Sequence, residues 1–490
     1  MNLADNLKAS AEKFPERTAI VFYDRRIRYG ELYSDVCRLA SALGAHGVVP
    51  GTRVALVMPN VPEFALGFYG ALAAGAEVVS VNPLYTAREI GYIFRDSGVS
   101  AAIMHPFFES AVRGAVKDSP VKIIYSDSMG DPAKTDLKKL IAEEKTGRAP
   151  ESRKPDDTAF IVYTNAYRGY SLGACLTHEG LMFDAEGCRK VSATAENDSF
   201  IAAIPLYHAF SATVNLNLPI SAGAKIVFHE TFKEDRVIAD IEKERVSTFV
   251  VVPTVFKRIF DMYGSAGKDF SFVKAFITGG APMPLDLYID FCAAFNAKIF
   301  EGYGITECGP VTSSNLIYKG EAKPGSVGPP LDGVSVRVLA EDGSVLPPGA
   351  QGELVVKGLN VMSGYLNRPD ETAKFIKDGW FHTGDRAWID ADGYIFLTGL
   401  IKRMILVGGF NVYPDELEAH LMEHPAVEWC RVFGGPDELM GGKVLAEARL
   451  RPGAATDERE LRKYLRAGLA PYKTPRKIDI INAPADPAHI

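Results

Sequence analysis

Four short stretches hold the residues whose types and spacing could do chemistry. The first is Glu301-Gly302-Tyr303-Gly304-Ile305-Thr306-Glu307. The second is Thr383-Gly384-Asp385, and the third runs from Gly408-Gly409 through Asn411 to Glu416 and Glu418. The fourth is Tyr163-Thr164 with Gly173 and Thr177-His178. Glycine, lacking a Cβ, lets a backbone or ligand come close. An ionised carboxylate accepts strong hydrogen bonds from hydroxyl or N–H donors. Each stretch alone is a weak signal. A lone Thr-Gly-Asp is more often a turn than a site. His208 follows an apolar run and Pro205, and a single histidine at a strand end is more often structural than catalytic. The basic residues Arg451, Arg459, Arg462, Lys463 and Arg466 read mostly as a solvated helix face.

The elements that must position these residues follow from periodicity. Short apolar runs at 53–58, 76–81, 159–164, 200–205, 248–253 and 275–278 alternate with helical patterns such as 63–74 and 285–295. That alternation predicts an α/β chain with largely parallel sheets. Many of the runs end in Gly, Pro, Ser, Thr or His. In open α/β sheets the ligand crevice lies beyond the carboxyl ends of the strands, and the quoted residues sit there. From about Lys323 the strands become short and turn-linked, at 334–339, 353–356 and 394–397, with hairpin signals at Asp342-Gly343 and Asp392-Gly393. This reads as a small β-rich subdomain. After Gly399 a new α+β unit begins, with strands near 404–407, 427–434 and 444–449 and helices from about Pro414 and near 458–469. The division is placed at about Leu400, giving a large N-terminal domain over 1–400 and a small C-terminal domain over 401–490.

Composition narrows the function classes. The chain has 490 residues, 47% hydrophobic and 23% charged, with a formal net charge of −7. A general nucleic-acid binder would carry basic charge. The six cysteines are scattered with no CxxC, which argues against a disulfide framework or a zinc site and for free thiols in a reducing compartment. The opening MNLADNLKAS lacks the form of a secretory signal. No apolar run reaches membrane-spanning length. A cytoplasmic location is expected.

In order and spacing the four stretches resemble the adenylate-forming superfamily of acyl-CoA synthetases, peptide-synthetase adenylation domains and luciferase-like enzymes. Leu72-Ala-Ala-Gly-Ala-Glu-Val, Pro205-Leu-Tyr-His208, Gly279-Gly280-Ala281-Pro282 and Gly325-Ser-Val-Gly328 extend the resemblance over essentially the whole chain. It implies two half-reactions. A carboxylate and ATP give an acyl-adenylate and pyrophosphate; a mobile C-terminal domain then rotates, and a thiol, usually coenzyme A, attacks the adenylate. It also implies a site. Asp385 would bind the ribose hydroxyls. Gly280, Ala281 and Pro282 on one loop, and Glu301, Gly302, Tyr303 and Gly304 on the other, would sandwich adenine. Thr306 would meet the AMP phosphate, and Glu307 would bind magnesium if ATP is used. His208 would line the acyl pocket and thiol entrance, with Val252, Gly279, Ile305 and Pro310 around the acyl group. Lys402 falls at the hinge. Gly408 and Gly409 match the wall of the pantetheine channel, and Tyr472, Lys473 and Arg476 the segment that meets the nucleotide end of coenzyme A.

The departures from the family pattern are concentrated. Its phosphate loop, Tyr-Thr-Ser-Gly-Thr-Thr-Gly-x-Pro-Lys-Gly, here reads Tyr163-Thr164-Asn165-Ala166-Tyr167-Arg168-Gly169-Tyr170-Ser171-Leu172-Gly173. A phosphate cradle works through exposed backbone N–H groups, small hydroxyl donors and a cation. Ala166, Tyr167 and Leu172 remove much of that, while Arg168 adds a charge. Leu400 takes the place of the family arginine that helps hold the nucleotide. An ungapped alignment puts the family's C-terminal lysine just beyond Ile490, and a one-residue gap puts His489 on it. The pattern resembles non-adenylating acyl-CoA ligases of platensimycin-type diterpenoid pathways, which take an acyl-adenylate from a separate partner synthetase. Two alternatives stand beside that expectation: a complete ATP-dependent synthetase with an unusual phosphate loop, and a non-catalytic adenylate-binding partner. A carrier-protein thiol is a second possible acceptor, with 472–477 leaning toward coenzyme A.

Overall fold

The computed structural model describes residues 1–117, 119–167, 170–401, 403–437 and 439–481, with the backbone alone for 165–167. Lys402, Arg168, the side chain of Tyr167 and the terminal His489 and Ile490, all singled out above, lie outside the described residues.

Two large sheets form the N-terminal part. In the first, Ser199–Ala202, Thr248–Val251, Ala275–Thr278 and Ile299–Tyr303 run parallel side by side. These strands are short and rich in Phe, Val and Ile, as befits strands buried on both faces. In the second, Arg53–Val57 lies between Glu77–Ser80 and Ala101–Met104, and Glu77–Ser80 pairs with Thr158–Tyr167. Helix Pro62–Ala73 is buried over nearly its whole length, and Phe68 meets Phe160 edge-on at 5.3 Å. A helix apolar on all sides belongs between layers. A five-stranded sheet is built on Ser335–Leu339, Gly352–Lys357 and Trp380–Ile389. The C-terminal part has a ribbon of Ile405–Val407 and Phe410–Val412, then a sheet of Val427–Asp437, Gly441–Leu450 and Lys477–Ile480 with helices Pro414–Met422 and Glu458–Gly468. The architecture is that expected: α/β, a large N-terminal region with parallel-rich sheets and a β-rich subdomain, and a small α+β region at the C-terminal end.

Register positions the site. Val251 pairs with Thr278, and Thr278 pairs with Glu301. The next residues, Val252, Gly279 and Gly302, therefore form one row near the sheet's carboxyl edge, with Gly302 still paired to Ser314.

The bland alternative for one stretch falls away. Thr383-Gly384-Asp385 is not a turn but lies inside strand Trp380–Ile389. Glu353 faces Arg386 while Val355 faces His382, so the strand carries extra residues opposite its partner. Gly384 takes φ 67° within this bulge. Bulges re-aim side chains, and this one accompanies a buried Asp385.

Asn315 ties the loop 323–328 to the same edge. Its Nδ2 donates to the Glu301 carbonyl at 3.0 Å and the Ser326 carbonyl at 2.6 Å, while its Oδ1 accepts from the Lys323 N–H at 2.9 Å. Asn315→Ala strands buried polar groups, and each costs about 1–3 kcal/mol when unpaired. The expected loss is about 2–4 kcal/mol, read as a lowered thermal unfolding midpoint; an unchanged midpoint would show that the loop is held by other contacts.

Candidate active site

The row of strand ends opens into a single large cavity of about 2010 Å3. Gly280, Ala281, Pro282, Glu301, Gly302, Tyr303, Gly304, Thr306, Glu307 and Asp385 all line it, as do His208, Val252, Gly279, Ile305 and Pro310. Gly408, Gly409 and Tyr472 reach it from the C-terminal part. Residues spread over most of the chain thus converge on one space.

A side chain is excluded at Gly304 and tightly confined at Gly302 and Gly279. A Cβ on Gly304 would stand 1.7 Å from the Pro310 carbonyl oxygen, and one on Gly302 3.1 Å from the Ser313 carbonyl oxygen. A Cβ on Gly279 would stand 3.2 Å from the Gly302 carbonyl oxygen. The floor of the cavity is therefore largely bare backbone.

The carboxylates are each held. Tyr303 donates its hydroxyl to Asp385 Oδ2, and the Asp385 N–H donates to Thr383 Oγ1 at 3.0 Å. Burial, together with the adjacent Asp385 charge, pushes the Tyr303 phenol well up, so it stays a donor. Glu301 accepts from the Gly325 N–H at 2.8 Å, and burial raises its carboxyl pKa. Tyr365 donates to Glu307 Oε1 at 2.9 Å. Tyr413, which sequence reasoning missed, also lines the cavity; burial, and then the charges of Glu307 and Asp385, raise its pKa. Among the described residues no group of three or more His, Cys, Asp or Glu side chains could hold a metal ion. Glu307 would therefore need ligand oxygens to complete any magnesium site.

On the acyl side His208 caps the short helix Ala209–Ala212. Its ring lies 4.7 Å from Tyr207 and 5.7 Å from Phe410. Desolvation pushes its pKa down to about 4, so the imidazole is neutral near pH 7. Gly408 and Gly409 have φ of 60° and 87°, and a Cβ on Gly409 would stand 3.3 Å from Val252 Cγ2. Phe410, also unflagged by sequence, stacks on Tyr472 at 4.5 Å.

Two sequence expectations fall outside the cavity. Lys473 is only 1% exposed and its Nζ donates to Glu89 and Glu416 at 2.8 Å each. An ammonium so committed is not offered to a coenzyme phosphate, which corrects that assignment. Arg476 is exposed but does not line the cavity. At the phosphate end, Thr158–Tyr167 pairs antiparallel with Tyr170–Thr177, the ladder including Tyr163 with Gly173, Thr164 with Leu172 and Tyr167 with Tyr170. Leu172, in the place of the family lysine, is 3% exposed.

The comparisons with known proteins agree with this geometry. The model of the AMP-binding enzyme family matches residues 7–366, and that of the AMP-binding enzyme C-terminal domain matches 416–486. The chain belongs to the AMP-binding enzymes, the adenylate-forming superfamily. Within it the chain is of the acyl-CoA ligase type. It is 32% identical over 500 residues to a long-chain-fatty-acid–CoA ligase of Bacillus subtilis, covering 96% of this chain and 89% of the relative. Among solved structures it matches a double mutant of o-succinylbenzoate CoA synthetase from Bacillus subtilis bound with its product analogue OSB-NCoA, with a TM-score of 0.88, 26% identity and coverage of 99% and 96%. It matches ATP-bound MatB from Rhodopseudomonas palustris with a TM-score of 0.76, 29% identity and coverage of 99% and 96%. No helix among the described residues is long and apolar enough to cross a membrane.

Two outcomes are expected. Gly304→Ala drives a methyl into the Pro310 carbonyl and should cost about 1–3 kcal/mol from overpacking, with AMP affinity falling in parallel by calorimetry; retained affinity would mean that the loop shifts without consequence. The second concerns pH. His208 binds its proton less readily when folded (pKa about 4) than when unfolded (about 6.5). The unfolded chain thus takes up more protons between those values, so this group's contribution to stability is full above about 6.5 and is lost as pH falls toward 4. His208→Gln should flatten that acid limb of the unfolding free energy, and an unchanged limb would place the titration elsewhere.

Proposed function

We propose that the chain forms acyl-CoA thioesters by binding an acyl-adenylate in the cavity and passing its acyl group to the coenzyme A thiol, with release of AMP. The observation that carries this reading is the approach of Gly409 to Val252 and of Phe410 to His208, which puts the channel-wall glycines beside the acyl pocket. Asp385 is assigned to the ribose, and 280–282 with 301–304 to adenine. Thr306 is assigned to the phosphate, and 1–400 and 401–490 to the two units. The thiol sulfur attacks the acyl carbon, the bond from that carbon to the AMP oxygen breaks, and AMP leaves with the bonding pair. A neutral His208 with a pKa near 4 is too weak a base to hold the thiol proton, which passes to AMP or water. Its part is to shape the entrance.

Whether the chain also makes the adenylate divides two readings. The relatives, named as ligases and synthetases, back a complete ATP-dependent synthetase better, with Glu307 sharing magnesium and Arg168 supplying charge. The phosphate end favours a chain that receives its adenylate from a separate synthetase. Leu172 is buried and apolar where the family carries lysine, and Leu400 replaces the nucleotide-holding arginine. A non-catalytic adenylate binder would have no use for bare glycines at a thiol entrance.

A paired product assay decides. One arm offers carboxylic acids with ATP, magnesium and coenzyme A; the other offers the matching preformed acyl-adenylates with coenzyme A alone. Acyl-CoA from the adenylates only is the expected outcome. Acyl-CoA and pyrophosphate from acid plus ATP would establish the complete synthetase. Silence in both arms, with an adenylate bound, would leave the non-catalytic role.

A further inference from the structure

Lys473 sits at the only point where a buried charge from the C-terminal part, among the described ion pairs, is matched by a buried charge from the N-terminal part. Its Nζ donates at 2.8 Å to Glu416 on helix Pro414–Met422 and at 2.8 Å to Glu89 on helix Ala87–Ser97. The two carboxylates are largely buried too, with side chains 9% and 10% exposed against 1% for the lysine. The ammonium also lies 4.9 Å from the Tyr85 ring centroid. Glu89 is fixed from the other side, because its Oε2 accepts from the Thr86 N–H at 2.8 Å and from the Thr86 hydroxyl at 3.0 Å. That same hydroxyl is 3.0 Å from the Gly468 carbonyl, so its one proton goes either to Glu89 or across the boundary.

We propose that Lys473, with Glu89 and Glu416, is a positioning latch that holds the C-terminal part in the orientation for acyl transfer. The proposal rests on the transfer reading above. The route to the site is short: Lys473 follows Tyr472, Tyr472 stacks on Phe410 at 4.5 Å, and Phe410 lies 5.7 Å from His208. Fixing Lys473 therefore fixes the loop 408–410 that walls the thiol entrance. Without its ammonium, two buried carboxylates would face each other across the boundary. Buried ion pairs add little net stability, but removing one partner leaves a desolvated charge that opposes closure. The latch thus specifies one orientation of the C-terminal part over others. Arg88 and Glu423 also meet across the boundary at 2.8 Å, but both are about half exposed, and an exposed pair contributes little.

The test uses Lys473→Met and Glu89→Gln in the full chain. Glutamine preserves the helix cap, since a capping box takes Glu or Gln at that position, and it alters only the side of the boundary remote from the C-terminal part. Hydrogen exchange is read at 405–412 and 468–473, with the strands Val427–Asp437 and Gly441–Leu450 as an internal control. Both variants are expected to exchange roughly tenfold faster in the first two segments while the control strands keep their protection. Transfer from the most productive adenylate of the paired assay should fall about tenfold or more in kcat with AMP affinity within about twofold, and the double variant should be no worse than the poorer single one. Unchanged exchange at the boundary in Glu89→Gln overturns the latch. So does loss of protection in the control strands of Lys473→Met alone, which would make Lys473 a residue for folding the C-terminal part. A wild-type chain silent toward every adenylate overturns the transfer reading, and the exchange experiment still decides the latch.

Discussion

The site depends on the register of three neighbouring strands. Val251, Thr278 and Glu301 share one row of the parallel sheet, so Val252 and Gly279 leave it beside Gly302, which its own strand carries on to Tyr303. A slip of one residue in any strand would exchange the side chains of its two buried faces and break that row. Because two of the three are glycines, the row presents peptide backbone to the cavity. The near-contact of Gly304 with the Pro310 carbonyl then folds the following loop over the floor, and Asn315 fixes the outer loop 323–328 to the Glu301 carbonyl. The same row receives the C-terminal part, since Val252 is the residue under Gly409. Nucleotide loops, acyl pocket and channel wall thus share one geometric origin.

Polar groups around that floor form a second layer of order. Asp385, Glu301 and Glu307 would each be costly buried alone. Each is met by a donor from a different element: the Tyr303 hydroxyl, the Gly325 N–H and the Tyr365 hydroxyl. These bonds orient the carboxylates before any ligand arrives. Pre-organisation of this kind reduces what binding must spend on ordering side chains.

Much of this was legible in the sequence because short-range rules produce it. Buried parallel strands announce themselves as apolar runs: the reading at 275–278 and 285–295 coincides with Ala275–Thr278 and Leu285–Phe295. The candidate residues 280–282, 301–307 and Asp385 fall on one cavity because they follow strand ends or sit within a bulge. Legibility failed where the cause is long-range. Thr383-Gly384-Asp385 has turn composition, yet pairing with Gly352–Lys357 on one side and Ile395–Leu400 on the other makes it strand. Lys473 lies in a basic stretch that suggests phosphate binding, and nothing local reveals that Glu89, 384 residues away, occupies it. Phe410 and Tyr413 acquire significance only through the neighbours that folding brings. The capping box at Thr86 and Glu89, which sequence analysis did not pick out, gives this acid its fixed place.

The electrostatics of the cavity bear on the choice between nucleotide and adenylate. Its described acidic lining residues are Glu230, Glu301, Glu307, Asp385 and Asp415, and its described lysine or arginine lining residues are Arg258 and Arg403. Both cations are already engaged, Arg258 with Glu234 and Arg403 with Asp415 and Glu418 at 2.9 and 2.8 Å. A triphosphate brings several negative charges into this field; an acyl-adenylate brings one. Unit charges about 4 Å apart at an effective dielectric near 20 interact by about 4 kcal/mol, so each added phosphate charge near these carboxylates must be offset by a cation. The position where the family keeps a lysine holds buried Leu172, which pairs with Thr164 just before the register shifts toward Tyr167. Among the described lining residues, then, no lysine or arginine is left unengaged for a polyphosphate, so the added charges would have to be met by a metal ion or by residues outside that set.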